Sequence, residues 1–362
     1  MAIQADIRLT QTVTKGGCAA KLAAGDLRDL LHDLPPQRHP DLLVGADLLD
    51  DAAVWHLGNE QVMVQTLDFF TPILDDPFDF GAVAAANALS DVFAMGAEPT
   101  TALTILAYPS QTLPSEVLRA LMAGALERIN AAGALLVGGH SIDDDTLKLG
   151  FSVTGLGHKS RLWANRQARV GDRLVLTKAL GTGTLTGALK SGELPAEALA
   201  EAIASMKTLN KLRLPDELLG AVHAATDITG FGLLGHALHL ANGSSVTLDI
   251  EVERVPLLAH AREALERGLL NRAHHTNTLY VQEQVAGRRS LDDAQWWGLV
   301  DPQTSGGLLL SVTPGSADDI LEALGKDFPR AAVVGRVLPR GDTPLRVSYS
   351  GLHIDREPLE LI

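Results

Sequence analysis

The chain reads as an α+β protein of two successive parts, each a mixed or antiparallel sheet with helices packed on it. Three observations predict this. Over the first half, strand-length apolar runs and long Ala-rich helical runs follow in the order β-β-β-α-β-α-β-β, which is layering rather than strict βαβ alternation. A polar, basic stretch, KSRLWANRQARVGD at 159–172, then separates that set from a second one. Finally, 362 residues with 46% hydrophobic and 20% charged content suit two ordinary globular domains. The expected organisation is an N-terminal loop and first helix over 1–41, an α+β domain over 42–158, a linker over 159–172, a second α+β domain over 173–348 and a tail over 349–362.

LAAGDLRDLLHDL has helical spacing and is broken by Pro35 and Pro36. DLLVGAD, AAVWHL and VMVQTLDFF are three short strands separated by turn residues. FDFGAVAAANALSDVFAMGA is a long helix ending at Gly96, with Pro99 beyond it as a stop. TALTILAYP is a strand, SEVLRALMAGALERINAAG a helix capped by Ser115, and ALLVGGHSI and LKLGFSVTGLG are strands. In the second part RLVLTKAL, VTLDIEVERV, SGGLLLSV and AAVVGRVL are strands. EALAEAIASMKTLN, FGLLGHALHLANG, HAREALERGLL and ADDILEALGKDF are helices. No short-period repeat argues for a solenoid.

Composition narrows the function. A single cysteine excludes an internal disulfide framework and a Cys-only zinc site. The opening MAIQADIRLT has neither the basic start nor the apolar run of a signal peptide, and no stretch is long and apolar enough to span a membrane, so the cytoplasm is the expected location. A net charge of −14 argues against direct nucleic-acid binding. It leaves room for an anionic ligand held through a divalent metal on carboxylates.

Among candidate motifs, GTGTLTGALKSG at 181–192 lacks the Gly-Lys-Ser of a Walker loop, and a helix start packed close to a strand explains its glycines at least as well as phosphate binding. The aspartates are the better lead. Asp50 and Asp51 lie between two strands, Asp68 ends a strand in TLDFF, Asp91 sits far along the apolar helix, and Asp227 is in ATDITGFG. A salt bridge or cap accounts for each singly. Together they would make the hard, all-oxygen site that holds Mg²⁺ on phosphates. Gly139, His140 and Ser141 follow a buried strand in LLVGGHSI, where backbone can approach a ligand, although a structural histidine at a strand end is the plainer reading. DPQTSGGLLL alone indicates a tight bend before a buried strand, the His pair at 274–275 a solvated helix end, and the acidic run at 143–145 a charged loop. The thiol, Cys18, stands in TKGGCAAK between Lys15 and Lys21, and neighbouring ammonium groups favour its thiolate.

Taken together, IRLTQ, GGCAAK, LLVGADLLDDAAV, TLDFFTPILDDPFDFG, AANALSDVFAMGAEP, LLVGGHSID, LTKALGTG, TDITGFGLLGH and DPQTSGGLLL resemble the selenophosphate synthetases (selenide, water dikinases) over nearly the whole chain. The Gly-Cys-x-x-Lys segment separates that family from its cousins: aminoimidazole ribonucleotide synthetase, thiamine-monophosphate kinase and the hydrogenase maturation enzyme. The resemblance implies the aminoimidazole ribonucleotide synthetase-like two-domain fold. The implied reaction converts ATP, selenide and water to selenophosphate, AMP and orthophosphate, supplying activated selenium for selenocysteine and selenouridine. It places Cys18 and Lys21 on the catalytic pair, on a Gly-rich loop free to close. It places Asp51, Asp91 and Asp227 on magnesium ligands, and Leu48, Leu49, Asp50, Asp68, Asp91, Gly139, His140 and Ser141 on nucleotide positions, with Lys21 reaching phosphate as well. It also implies a homodimer through paired N-terminal sheets, and a selenium-delivery protein as a further partner. Where some relatives carry a second cysteine two residues on, this chain has Ala20, so no dithiol relay forms in the loop. The rival readings are another ATP-dependent kinase or ligase of this fold, indifferent to Cys18, and a non-catalytic selenium or thiol carrier.

Overall fold

The structure is a computed structural model that describes residues 7–13, 35, 37–45 and 50–349. The expected first helix over 22–34 lies outside them. Strands β1 (Leu42–Val44), β2 (Ala53–Gly58), β3 (Gln61–Phe70), β4 (Glu98–Tyr108), β5 (Leu135–Asp143) and β6 (Lys148–His158) form a six-stranded sheet in the order β1-β2-β3-β6-β4-β5. Neighbours are antiparallel except β4 and β5. That parallel pair needs a crossover, which helix α2 (Ser115–Ala132) supplies.

Helix α1 (Pro77–Ala94) packs with α2 on one face of this sheet. Asp76 caps α1 by accepting from the Asp79 amide at 2.8 Å. Every residue of α1 from Phe80 onward is buried, and its alanines keep it slim enough to be enclosed on all sides. The two helices approach backbone to backbone through a pair of glycines. A Cβ on Gly81 would stand 1.9 Å from the Leu121 carbonyl oxygen, and one on Gly124 1.9 Å from that of Phe78. Among the described residues nothing covers the opposite face of the sheet. Leu67, Phe69, Leu103 and Leu156 point outward there, and each is about half exposed.

The second sheet joins β7 (Arg173–Leu176), β8 (Val222–Asp227), β9 (Val246–Glu251), β10 (Val285–Ala286), β11 (Leu308–Val312), β12 (Ala332–Pro339) and β13 (Leu345–Ser348) in the order β10-β13-β9-β12-β7-β11-β8. The remaining helices are α3 (Thr182–Ser191), α4 (Ala200–Lys207), α5 (Asp216–Leu219), α6 (Gly232–Gly243), α7 (Ala261–Glu266), α8 (Arg272–Val281), α9 (Asp293–Val300) and α10 (Ala317–Leu324), of which α3 and α4 send Leu185, Leu189, Ala202 and Met206 into the core of the first domain. Leu248, Leu309, Val334 and Trp296 are at the centre of one core on this sheet, while Leu308, Leu310 and Ile320 belong to another. Among the described residues no helix is long and apolar enough to cross a membrane.

Four local expectations are corrected. Ser115 is the first residue of α2, not its cap; Pro114 occupies the cap position and the Ser115 hydroxyl accepts from Arg119 at 2.9 Å. Pro99 is inside β4, at the end where only β6 pairs with it, so its missing N–H costs no ladder bond to β5. The 159–172 stretch is polar in sequence, yet Trp163, Ala164, Asn165 and Asp172 are buried in it. His274 is wholly buried rather than solvated: it closes a capping box with Asn271 at the start of α8 and meets Asp301 at 3.0 Å.

Candidate active site

Five aspartates predicted from the sequence converge where the two sheets meet. Asp68 comes from β3, Asp91 from the last turn of α1, Asp227 from the end of β8, and Asp50 and Asp51 from the segment before β2. Each is held by a named donor. Asn87 donates to Asp68 Oδ2 at 2.6 Å and Ser90 to Asp227 Oδ2 at 2.6 Å. Thr66 donates to Asp91, Thr226 to Asp51 Oδ1 at 3.0 Å, and the Asn165 amide to Asp50 Oδ1 at 2.7 Å. Asn87, Ser90 and Asp91 fall on consecutive turns of one helix, which aims the first toward β3 and the second toward β8.

The electrostatics of this cluster are unfavourable without a counter-charge. Burial, followed by repulsion from Asp227 and Asp50, pushes the Asp51 carboxyl well above its ordinary range. Burial and the charges of Asp227, Asp68 and Asp51 do the same to Asp91. Asp51 as a residue is only partly covered, but its Oδ2 is buried and has no hydrogen-bond partner among the described residues. A divalent cation fits that donor set, since it would both satisfy the oxygen and offset the repulsion. Asp51 and Asp227 place ligand atoms within 4.8 Å of each other, and His236 from α6 joins them. The histidine was not foreseen as a neighbour of this group. Its Nε2 already accepts from the Thr229 amide at 3.1 Å, so it supports the loop after Asp227 rather than offering a free lone pair from that atom. Asp91 stands beside the trio, close enough for the charges of Asp227 and Asp51 to raise its own pKa.

A buried lysine was also missed. Lys178, at the end of β7, donates to the carbonyls of Thr208 at 2.6 Å and Ser305 at 3.0 Å, and burial lowers its pKa to about 7 against the pull of Asp227. The glycines of 181–192 do not form a free phosphate cradle. The first amides of α3 are taken by side chains: Gly181 and Thr182 donate to Gln303 Oε1 at 3.1 and 3.2 Å, and Gly183 to Asp301 Oδ2 at 3.2 Å. DPQTSGG is therefore more than a bend; it caps a helix and carries the turn that faces α1.

Gly139, His140 and Ser141 are not brought to the cluster within one chain. They lie on the edge strand β5, exposed, with Gly139 in the row Asp68, Phe151, Thr104, Gly139 that crosses the sheet. Three interstrand steps separate its ends, about 14 Å. Cys18, Lys21, Leu48 and Leu49 lie outside the described residues. The chain just ahead of the thiol segment is fixed, however: the Val13 carbonyl accepts from Lys190 at 2.6 Å, and Arg8 pairs with Asp75 at 3.0 Å.

Comparison with known proteins gives a consistent answer. Residues 49–158 match the family described as AIR synthase related protein, N-terminal domain, and residues 169–348 its C-terminal domain. A protein of Bdellovibrio bacteriovorus named selenide, water dikinase is 53% identical over 341 residues, 93% of this chain and 97% of its own. One of the same name from Nitrosomonas eutropha is 50% identical over 339 residues, with 93% and 97% covered. Among solved structures, a thiamine-monophosphate kinase from Stenotrophomonas maltophilia K279a superposes with a TM-score of 0.62 at 23% identity, covering 91% of this chain and 96% of that one. E. coli HypE does so at 0.58 and 20%, covering 95% and 94%. These two speak for the fold alone. With half its residues shared across nearly the full length and both halves of the fold in order, the chain belongs to the selenide, water dikinase family.

Proposed function

We propose that this chain uses ATP to phosphorylate selenide, with water as second acceptor, releasing selenophosphate, AMP and orthophosphate. The observation that carries the chemistry is the convergence of buried carboxylates from both halves of the molecule, with the pKa values of Asp51 and Asp91 raised by burial and mutual repulsion. A negatively charged protein can receive a triphosphate only across cations, and Asp51, Asp91 and Asp227 would hold them, with Asp68 oriented by Asn87 toward the nucleotide. Mg²⁺, when bound there, draws charge from the phosphoryl oxygens. Thr66, Thr226, Asn87 and Ser90 fix the carboxylates beforehand, so little reorganisation is required when the nucleotide arrives. Cys18 is assigned to selenium and Lys21 to the transferring phosphate.

The reading includes a homodimer. The uncovered sheet face with Leu67, Phe69, Leu103 and Leu156 is the apolar surface a second copy would cover. Such a copy would offer its own edge strand to the nucleotide, in keeping with Gly139 lying about 14 Å from Asp68 in a single chain, with His140 and Ser141 following it on the same edge strand. A cytoplasmic location and a selenium-delivery partner complete the reading; both suit a lone thiol and a reduced, reactive chalcogenide. Anaerobic ³¹P NMR of protein, Mg-ATP and selenide tests the whole. A selenium-bonded phosphorus signal should grow in step with AMP and orthophosphate. ADP as the sole nucleotide product would point to an ordinary kinase instead.

A further inference from the structure

The buried lysine and the turn beside it lie at the root of two hydrogen-bond arms. Lys178 is 4% exposed and holds the Thr208 and Ser305 carbonyls together. From that point one arm runs from the Ser305 amide to Asn87 Oδ1 at 2.9 Å, and from Asn87 to Asp68 at 2.6 Å. The other runs from Asn210, two residues beyond Thr208. Its amide nitrogen donates to the Gly306 carbonyl at 2.8 Å and to Ser90 at 2.8 Å, and Ser90 donates to Asp227 at 2.6 Å. Asn87, Ser90, Asn210 and Ser305 are all essentially sealed from solvent.

We propose that Lys178 is a positioning residue for the acidic site: by clamping Thr208 to Ser305 it fixes both arms, and through them the orientation of Asp68 and Asp227.

Three further facts point the same way. Ser305 has φ +49°, a left-handed conformation that a side-chain-bearing residue adopts only when its surroundings enforce it. The backbone around it is tight on both sides: a Cβ on Gly306 would stand 2.2 Å from the Ile228 carbonyl oxygen, and one on Gly307 2.4 Å from the backbone nitrogen of Lys178. Burying an ammonium is also expensive, and an apolar side chain of similar length would pack there at lower cost. A lysine that serves stability alone is a poor choice at this position; one that sets the place of a strained turn is a reasonable one.

The proposal rests on the reading that these aspartates receive metal and nucleotide, so the experiment separates the two. Calorimetric titration with Mg²⁺ and a non-hydrolysable ATP analogue is run on the parent, Lys178→Met, Ser90→Ala, their double variant and Asp227→Asn, with melting temperatures and AMP release alongside. Lys178→Met should melt within a few degrees of the parent yet bind at least tenfold more weakly. The double variant should lose less than the product of the single losses, because both changes cut the same arm. Parental affinity in Lys178→Met, or losses that multiply, would overturn the proposal. Parental affinity in Asp227→Asn would instead remove the metal reading on which it rests. Should Lys178→Met not fold, Lys178→Gln takes its place, since its amide reaches one of the two carbonyls; it should show an intermediate loss, and parental binding again overturns the idea.

Discussion

Replacing Asp51 by asparagine should stabilise the metal-free protein while abolishing its activity. Asp51 and Asp227 present oxygen atoms within 4.8 Å of each other. Two charges at that distance repel by about 3.5 kcal/mol at an effective dielectric of about 20. Asparagine removes the repulsion, and its amide oxygen can still accept from Thr226, which now donates to Asp51 Oδ1 at 3.0 Å. Part of the strain is already relieved by protonation, so we expect about half, about 1.7 kcal/mol, or about 3–6 °C in Tm. The sign of the pH dependence follows from the direction of the shift. Because the folded pKa is raised above the ordinary 3.8, the folded state retains a proton that the unfolded state gives up between the two values. The associated stability is complete below 3.8 and lost as pH rises through the folded pKa. The Tm gap between Asp51→Asn and the parent in EDTA should therefore be widest at pH 8 and close toward pH 4. Excess Mg-ATP should reverse the ranking. A variant that melts at or below the parent at pH 8, with a gap that ignores pH, would refute the reasoning and make Asp51 an ordinary structural carboxylate.

Metal loading should release the protons that the raised Asp51 and Asp91 carboxyls hold at low pH; the enthalpy of Mg-ATP binding should depend on the ionisation enthalpy of the buffer more strongly as pH falls, and an enthalpy that is buffer-independent at every pH counts against it. Cys18→Ser should keep Mg-ATP binding and form no selenophosphate, whereas Lys21→Ala should impair ATP cleavage itself. Selenide-dependent AMP release separates them, and full activity in Cys18→Ser would dismiss the thiol. Phe69→Glu, on the uncovered sheet face, should halve the mass seen by sedimentation velocity without unfolding either domain, and an unchanged mass would move the dimer contact elsewhere.

What the sequence revealed depended on whether the signal was local. Alternation in VMVQTLDFF and the unbroken apolar run around Asp91 located β3 and α1, because burial on a regular element leaves a period. Asp91 itself stood out as the one charge between Phe80 and Gly96. Asn87 and Ser90 offered a readable hint, being polar residues on the Asp91 face of an otherwise apolar helix. Lys178 offered none: a lysine at a strand end in LTKALG is solvated in most proteins, and only the closing of Thr208 and Ser305 over it makes it a buried clamp. His274 followed the same logic, since its partner Asp301 is distant in sequence. The spatial gap between Asp68 and Gly139 arises from strand order, which local patterning does not encode.

The paired glycines between α1 and α2 have a consequence for how the enzyme's speed can change. Asn87, Ser90 and Asp91 share one rigid shaft, and the contact of Gly124 with Phe78 sets how deeply that shaft is seated. A single methyl at position 124, remote from any substrate, would lift the shaft and carry all three side chains with it. Catalytic groups shifted by about 1 Å can lose about a hundredfold in rate. Natural variation at such a hidden contact would act as a throttle on turnover, leaving every chemically active residue in place and giving no sign of itself to anyone comparing only the residues of the site.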